Sequence, residues 1–315
     1  MNGKPSNPAI LVGPAGWSYT DWEGIVYPRR KPRGFHPAAY LAQFFDTIEI
    51  NTSFYSPPRA EVVKAWAAKT AFNPNFKFTA KLWKRFTHEG NANQQDEKTF
   101  KRGLAPLLAE GRLGALLLQF PWSFRNTPEN HEYLSGLIMR FMEYPLVLEV
   151  RHNSWNKPEV FEWLAGQRVG FCNIDQPVIG QSIAPSARAT APVGYVRLHG
   201  RNYEHWFTSS EHPAERYNYL YTQAELEPWA ARIRDIAQRA DVTFVITNNH
   251  FQGKAIANAV QLISLLRNQP VPVPENLPEF YPELERIARP QIPAAFSQPG
   301  FLFAAPSREE MMKNN

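Results

Sequence analysis

TIEINTSFY, residues 47–55, decides how this chain folds. Ile48 and Ile50, flanked by threonines, read as a buried strand of β-branched residues. Glu49 and Asn51 sit two apart inside it and therefore share the opposite face. A carboxylate in an apolar strand costs several kcal/mol unless it is paired or reaches water. The stretch thus describes a strand covered by helices on one side, delivering polar groups to a shared space on the other.

Seven further runs of the same kind follow or precede it. They are ILVGPAGW (10–17), KFTAKL (77–82), ALLLQFP (115–121), PLVLEVR (145–151), VGFCNID (169–175), VGYVRLHG (193–200) and VTFVITNN (242–249). Their near-continuous apolar character suits parallel strands covered on both faces. Amphipathic helical patterns fill most gaps, among them AEVVKAWAAKT and TPENHEYLSGLIMRFM, the latter with Thr127 as cap and Pro128 at the first helical position. The stretch 176–192 reads as a loop where a helix would otherwise stand. Eight strands alternating with helices give an α/β, TIM-type (β/α)8 barrel with one crossover helix replaced by a loop. A doubly wound sheet is the competing architecture, but GPAGW lacks the third glycine of a dinucleotide fingerprint.

Residues 1–269 form the single barrel domain in this reading. Beyond them, residues 270–306 hold nine of the 28 prolines. The segment 270–315 reads as a Pro-rich extension packed on the barrel, frayed only at REEMMKNN, and not as a separate domain. Of 315 residues, 43% are hydrophobic and 20% charged, which excludes a disordered chain. One cysteine, Cys172, allows no internal disulfide. With no apolar run long enough for a signal peptide or membrane span, a cytoplasmic protein without a membrane partner is expected. The net charge of +5 is modest, and the basic cluster YPRRKPRGF (27–35) reads as a solvated loop, since no nucleic-acid motif accompanies it.

In a TIM barrel the functional groups come from the C-terminal ends of the strands. Strand parity then assembles a polar mouth: Glu49 and Asn51, Lys81, Gln119, Glu149 and Arg151, Asn173 and Asp175, Arg197 and His199, with Asn248 and Asn249 at the last strand. Glu49, Lys81, Glu149, Asp175 and His199 are the candidate catalytic groups. Trp17, Asn51, Tyr55, His88, Gln119, Arg151, Arg197, Arg201, Asn248 and Asn249 are the candidate substrate-binding groups. The arginines would clamp a phosphate or carboxylate if the carboxylates leave them free, and otherwise the set is a structural ion network. A lysine in such a mouth can act as base or form a Schiff base when burial lowers its pKa, unless it pairs with Glu49 or Glu149. His199 would move protons near neutral pH or simply be satisfied within the wall.

The sequence assigns no cofactor. Glu49, Glu149, Asp175 and His199 are donor types a divalent metal takes, but Lys81, Arg151 and Arg197 compete for the same carboxylates, and there is no HExxH. Aromatic residues after the strands suggest a lid, with Tyr55, Tyr203 and Trp206 as ligand contacts and Trp17 and Trp22 as loop anchors. Cys172 falls on the apolar face, which excludes thiol catalysis.

These segments also carry a family resemblance. GWSYTDWEGIVYP, IEINTSFYSPP, FKFTAKLWKRFTH, LLLQFP, LEVRHNSW, NID, YVRLHGR and NNHFQGKAIANA resemble, in order, the motifs of the YecE-like family, domain of unknown function 72, over about residues 10–268. The resemblance implies a TIM barrel and no settled reaction. A description as sugar-isomerase-related would rest on fold analogy alone. Position by position it carries over Trp17, Glu49, Asn51, Phe54, Tyr55, Lys81, His88, Gln119, Pro121, Glu149, Arg151, Trp155, Asp175, Arg197, His199, Gly200, Asn248 and Asn249. GPAGW departs from the expected Gly-Thr/Cys-Ser-Gly-Trp form while keeping Trp17.

The resulting expectation is an enzyme doing acid–base chemistry on a small, anionic, sugar-like or phosphorylated molecule. Two alternatives stand beside it. One is a nucleic-acid or nucleotide binder using Arg201, the aromatics and loop 29–33. The other is a non-catalytic ligand-binding barrel.

Overall fold

Each apolar run forms a strand. The computed structural model describes residues 9–206 and 213–289, so the end expected to fray, REEMMKNN, lies outside the described residues. The strands are β1 (Ala9–Pro14), β2 (Thr47–Ile50), β3 (Lys77–Lys81), β4 (Leu113–Gln119), β5 (Leu146–Glu149), β6 (Gly170–Asp175), β7 (Val193–Leu198) and β8 (Val242–Thr247). All pairings are parallel, in the order β1-β8-β7-β6-β5-β4-β3-β2. The seam between β1 and β2 is closed by a bridge between Ala15 and Glu49, where the Gly16 amide donates to the Glu49 carbonyl at 2.9 Å. The result is a nearly closed (β/α)8 barrel.

Helices α1 (Pro37–Leu41), α2 (Ala60–Lys69), α3 (Lys84–Thr87), α4 (Gln94–Ala109), α5 (Pro128–Arg140), α6 (Pro158–Gly166), α7 (Gln223–Arg239) and α8 (Lys254–Arg267) surround it. Thr127 caps α5 by accepting from the Asn130 amide, with Pro128 first in the helix, as its sequence requires. Between β6 and β7 a loop replaces the helix. It pairs its backbone with the chain after β5, Asn153 N to Gln181 O and Ile183 N to Arg151 O, each 2.8 Å. The tail residues Val271, Leu277, Tyr281 and Leu284 are buried in the core, with the short helix α9 (Leu277–Phe280) among them. No helix of the described residues is long and apolar enough to cross a membrane.

Register fixes which residues face inward, because partners in adjacent parallel strands point the same way. Glu49 pairs with Thr79, and Gln119 with Glu149. Cys172 pairs with Tyr195, and Ile174 with Arg197. Tyr195 and Arg197 both reach Glu49 across the interior, so β6 turns Cys172 and Ile174 inward. Asn173 and Asp175 point outward, which corrects the expected parity of that strand. The interior assignment fails because both outward groups find partners there: Asn173 binds the Arg188 backbone of the 176–192 loop, and Asp175 binds Arg201 and Trp229 of α7. Asn249 likewise faces out, donating to Tyr219 O at 2.8 Å and Asn258 Oδ1 at 2.7 Å.

Candidate functional site at the barrel mouth

Two polar layers lie one above the other. The lower layer is an ion cluster sealed from solvent. Arg197 donates from Nη2 to Glu49 Oε1 and from Nη1 to Glu149 Oε2, both at 2.7 Å, and all three side chains are at most 1% exposed. Tyr195 Oη donates to Glu49 Oε2 at 3.0 Å and lies 2.8 Å from the Thr79 hydroxyl. Burial alone would raise the Glu149 carboxyl, but Arg197, His199 and Arg151 outweigh it and hold it well below the usual range. Burial would discharge Arg197, and the two carboxylates reverse that effect.

His199 closes the cluster from above. Burial lowers its pKa to about 3, so it is neutral. Its Nδ1 lies 2.9 Å from Asn248 Nδ2 and its Nε2 lies 3.2 Å from Glu149 Oε1. An amide donor on one nitrogen and a carboxylate on the other fix the tautomer with the proton on Nε2.

The upper layer is a cavity of about 480 Å³. Of the expected residues, it brings together Trp17, Asn51, Tyr55, Lys81, Gln119 and Asn248. The wall is completed by Tyr19, Tyr217 and His250, which the sequence places on mouth loops without assigning them a ligand, and by His36 and Trp66, which sequence reasoning missed. Tyr19 stacks on His250 with centroids 4.3 Å apart and joins Asn51 at 3.2 Å through its hydroxyl. Asn51 stands just past β2 in a helical turn (φ −75°, ψ −31°), so it serves this wall and does not share the Glu49 cluster. Among the described residues no carboxylate lines the cavity.

Lys81 is the cation of that wall. Since Arg197 occupies both carboxylates, the expected pairing with Glu49 or Glu149 does not form. Among the described residues no acceptor lies within hydrogen-bond distance of Lys81 Nζ, which instead sits 4.3 Å from the centroid of the Phe54 ring. Burial, reinforced by the charge of Arg197, lowers its pKa to about 7. Gln119 is a further unpaired group, beside His36 Nδ1 and His250 Nδ1: it is 8% exposed and its Oε1 has no partner.

The other expected groups fall around these layers. Arg151 makes one contact with Glu149 at 3.2 Å and lies 5.6 Å from the Trp206 ring, remaining 16% exposed. Trp206 packs edge-on to His199, whereas Tyr203 is exposed and outside the cavity. His88 is exposed, set edge-on to Phe54. Arg201 is committed to Asp175 through two bonds of 2.8 and 2.7 Å and to Glu225 at 3.2 Å. With Arg197 also neutralised, the expected arginine clamp reduces to Arg151. Trp22 anchors its loop through Nε1 to His250 O at 2.7 Å, as expected, while Trp17 both lines the cavity and packs on Trp66. Cys172 is the reverse of the expectation: its Sγ lies 4.0 Å from Glu149 Oε2, and burial beside that carboxylate pushes its thiol well up, so it stays protonated.

No group of three or more His, Cys, Asp or Glu among the described residues is placed to hold a metal ion. The physical reason is visible in Glu49 and Glu149, whose oxygens are already engaged by Arg197, Tyr195 and His199.

Known proteins resemble the chain over this whole region. A family model described as "Protein of unknown function DUF72" matches residues 11–281. The UPF0759 protein YunF of Bacillus subtilis is 30% identical over 276 residues, covering 82% of this chain and 94% of YunF. The crystal structure of a DUF72 family protein from Thermotoga maritima superposes with a TM-score of 0.72 at 33% identity, covering 82% of this chain and 99% of that one. A DUF72 family protein from Enterococcus faecalis shares the fold, with a TM-score of 0.73 at 24% identity, 82% of this chain and 95% of that one.

Proposed function

The chain belongs to the DUF72 family, and from that premise we propose that it is an enzyme acting on a small polar, anionic, sugar-like or phosphorylated molecule, with Lys81 as its proton-transfer group. The observation that carries this reading is an unpaired lysine in a cavity without carboxylates. A buried ammonium is costly unless an anion meets it or it gives up its proton. A pKa of about 7 places Lys81 between the two states at neutral pH, where general acid–base catalysis works best.

The remaining residues divide the work. Arg151, held by a single carboxylate contact, offers the ligand's anionic group a second cation. Asn51, Gln119 and Asn248 present amides to hydroxyl groups, and the Tyr19–His250 stack supplies a flat apolar wall. Glu49, Glu149 and Arg197 support the site from below. His199 holds Asn248 by its Nδ1, so it orients a binding group and takes no proton itself.

The test is a thermal-shift panel of sugar phosphates and sugar acids, followed by turnover of whichever compounds bind. At least one should raise Tm in the native protein. Lys81→Met, with folding checked by circular dichroism, should lower turnover about 100-fold or more. A panel without any shift, or undiminished turnover by Lys81→Met, would overturn the reading.

A further inference from the structure

We propose that Lys81 Nζ is a nucleophile that captures the carbonyl carbon of an aldehyde or ketone ligand as a covalent imine. This deepens the reading of the mouth as a small-molecule site and rests on it. Three features of the geometry support it.

First, the amine is free. Its two nearby carboxylates are bound by Arg197 at 2.7 Å each, and no other acceptor among the described residues reaches it. A lysine committed to an ion pair would have to break it before attacking, and this one does not. Its lowered pKa, caused by burial first and Arg197 second, leaves a substantial neutral fraction at pH 7.

Second, an unpaired amide lines the same cavity. The Gln119 side chain makes no hydrogen bond with a described residue, and its buried Oε1 is unpartnered. Retaining an unsatisfied buried polar group is unfavourable, and a ligand would relieve that cost. The amide can accept from the carbinolamine hydroxyl or donate to the oxygen that precedes it.

Third, the product is matched to its surroundings. The Nζ lone pair attacks the carbonyl carbon, and the carbonyl π pair moves onto oxygen, which takes up the proton that the newly bonded nitrogen gives up. After a second protonation that oxygen leaves as water while the nitrogen lone pair forms the C=N bond. The net change is amine plus carbonyl plus one proton giving a protonated imine plus water. The new planar cation lies where the ammonium now stands, 4.3 Å from the Phe54 ring, whose face attracts a cation. Glu49 and Glu149 attract a cation on this nitrogen and offset part of what burial and Arg197 cost it.

The experiment has two arms on the full chain at pH 7. Formaldehyde with cyanoborohydride needs no specific binding and reads the amine itself. Glyoxylate, glycolaldehyde and dihydroxyacetone phosphate with borohydride read carbonyl capture, and thermal shift follows their binding in parallel. Peptide mass spectrometry should place the reduced adduct on Lys81 at least tenfold above any other lysine. The adduct should vanish in Lys81→Arg, a variant that keeps the charge, and fall in Gln119→Ala. Labelling spread evenly over the lysines, or a Lys81 slower than exposed lysines towards formaldehyde, overturns the proposal. If a carbonyl compound shifts Tm yet leaves no Lys81 adduct, the imine is overturned while the proton-transfer reading survives. If none binds and Lys81 is unreactive, both fall.

Discussion

Arg197 and Glu149 form an ion pair at 2.7 Å that is shut off from solvent, and the same guanidinium holds Glu49 at 2.7 Å. One planar fork thereby binds two carboxylates from opposite parts of the barrel, and Arg151 adds a second cation at Glu149. Arg197→Met would leave Glu49 buried without a cation and Glu149 with only Arg151 at 3.2 Å, and unfolding in urea should show a loss of about 3–5 kcal/mol. Arg197→Lys should recover little of it, because one ammonium cannot span both carboxylates. A loss below about 1 kcal/mol would mean that the pair is effectively hydrated.

His199 should stay neutral far below the usual histidine range. Its folded pKa of about 3 lies under the unfolded value of 6.5, so the unfolded state takes up the proton first as pH falls. Stability from this group is full above about pH 6.5 and is lost progressively towards pH 3. Glu149, depressed by Arg197 against its own burial, adds a further loss that begins near 4.5 and continues through its folded pKa. Nitrogen-15 NMR at pH 5 should show a neutral ring protonated at Nε2. An imidazolium signal there would contradict the tautomer.

Lys81 works in the opposite pH range. Its folded pKa of about 7 lies under the unfolded-chain value of 10.5, so between these values the unfolded chain binds the extra proton and stability rises with pH. Below pH 7 the full cost of the buried charge is present. Lys81→Met should therefore exceed the native protein in stability at pH 6, by an amount on the order of a few kcal/mol. The gap should close as pH approaches 10.5. A variant less stable than the native protein at pH 6 would point to an ion pair.

Gln119 and Asp175 separate binding from scaffolding. Gln119→Ala removes an amide without a protein partner, so stability should change by less than about 1 kcal/mol while ligand affinity falls about tenfold. Asp175→Asn removes the charge and one of the two acceptor oxygens that Arg201 grips, and should cost about 1–3 kcal/mol. Its ligand affinity should be unchanged. Affinity titrations with denaturation curves on both variants check this, and a loss of binding in Asp175→Asn would return that residue to the site.

All eight strands were legible because each is an apolar run bounded by turn residues. The 176–192 loop was legible because its prolines interrupt any helical period. The ends were less so: β2 stops at Ile50, where Asn51 enters a helical turn, and β1 stops at Pro14, ahead of Gly16 with φ +81°. Parity gave the company of Glu49 on β3, β4, β5 and β7, and it would have given Tyr195, two residues before Arg197. On β6 it failed for a physical reason. Cys172 and Ile174 fit an interior as well as Asn173 and Asp175 do, and only the partners outside the barrel decide between them. Those partners, Arg201, Trp229 and the loop backbone, are distant in sequence or unremarkable in type. The histidines and tyrosines of the upper wall come from separate loops, so no spacing rule connects Tyr19 to His250.

The stacking of a satisfied layer beneath an unsatisfied one bears on how such a protein can diverge. Changes at Glu49, Glu149 or Arg197 break bonds that the fold needs. Lys81 and Gln119 break none when altered, so mutational drift there is filtered by ligand alone. A change at either would alter what the mouth binds while leaving the lower three residues, and the barrel they hold together, in place.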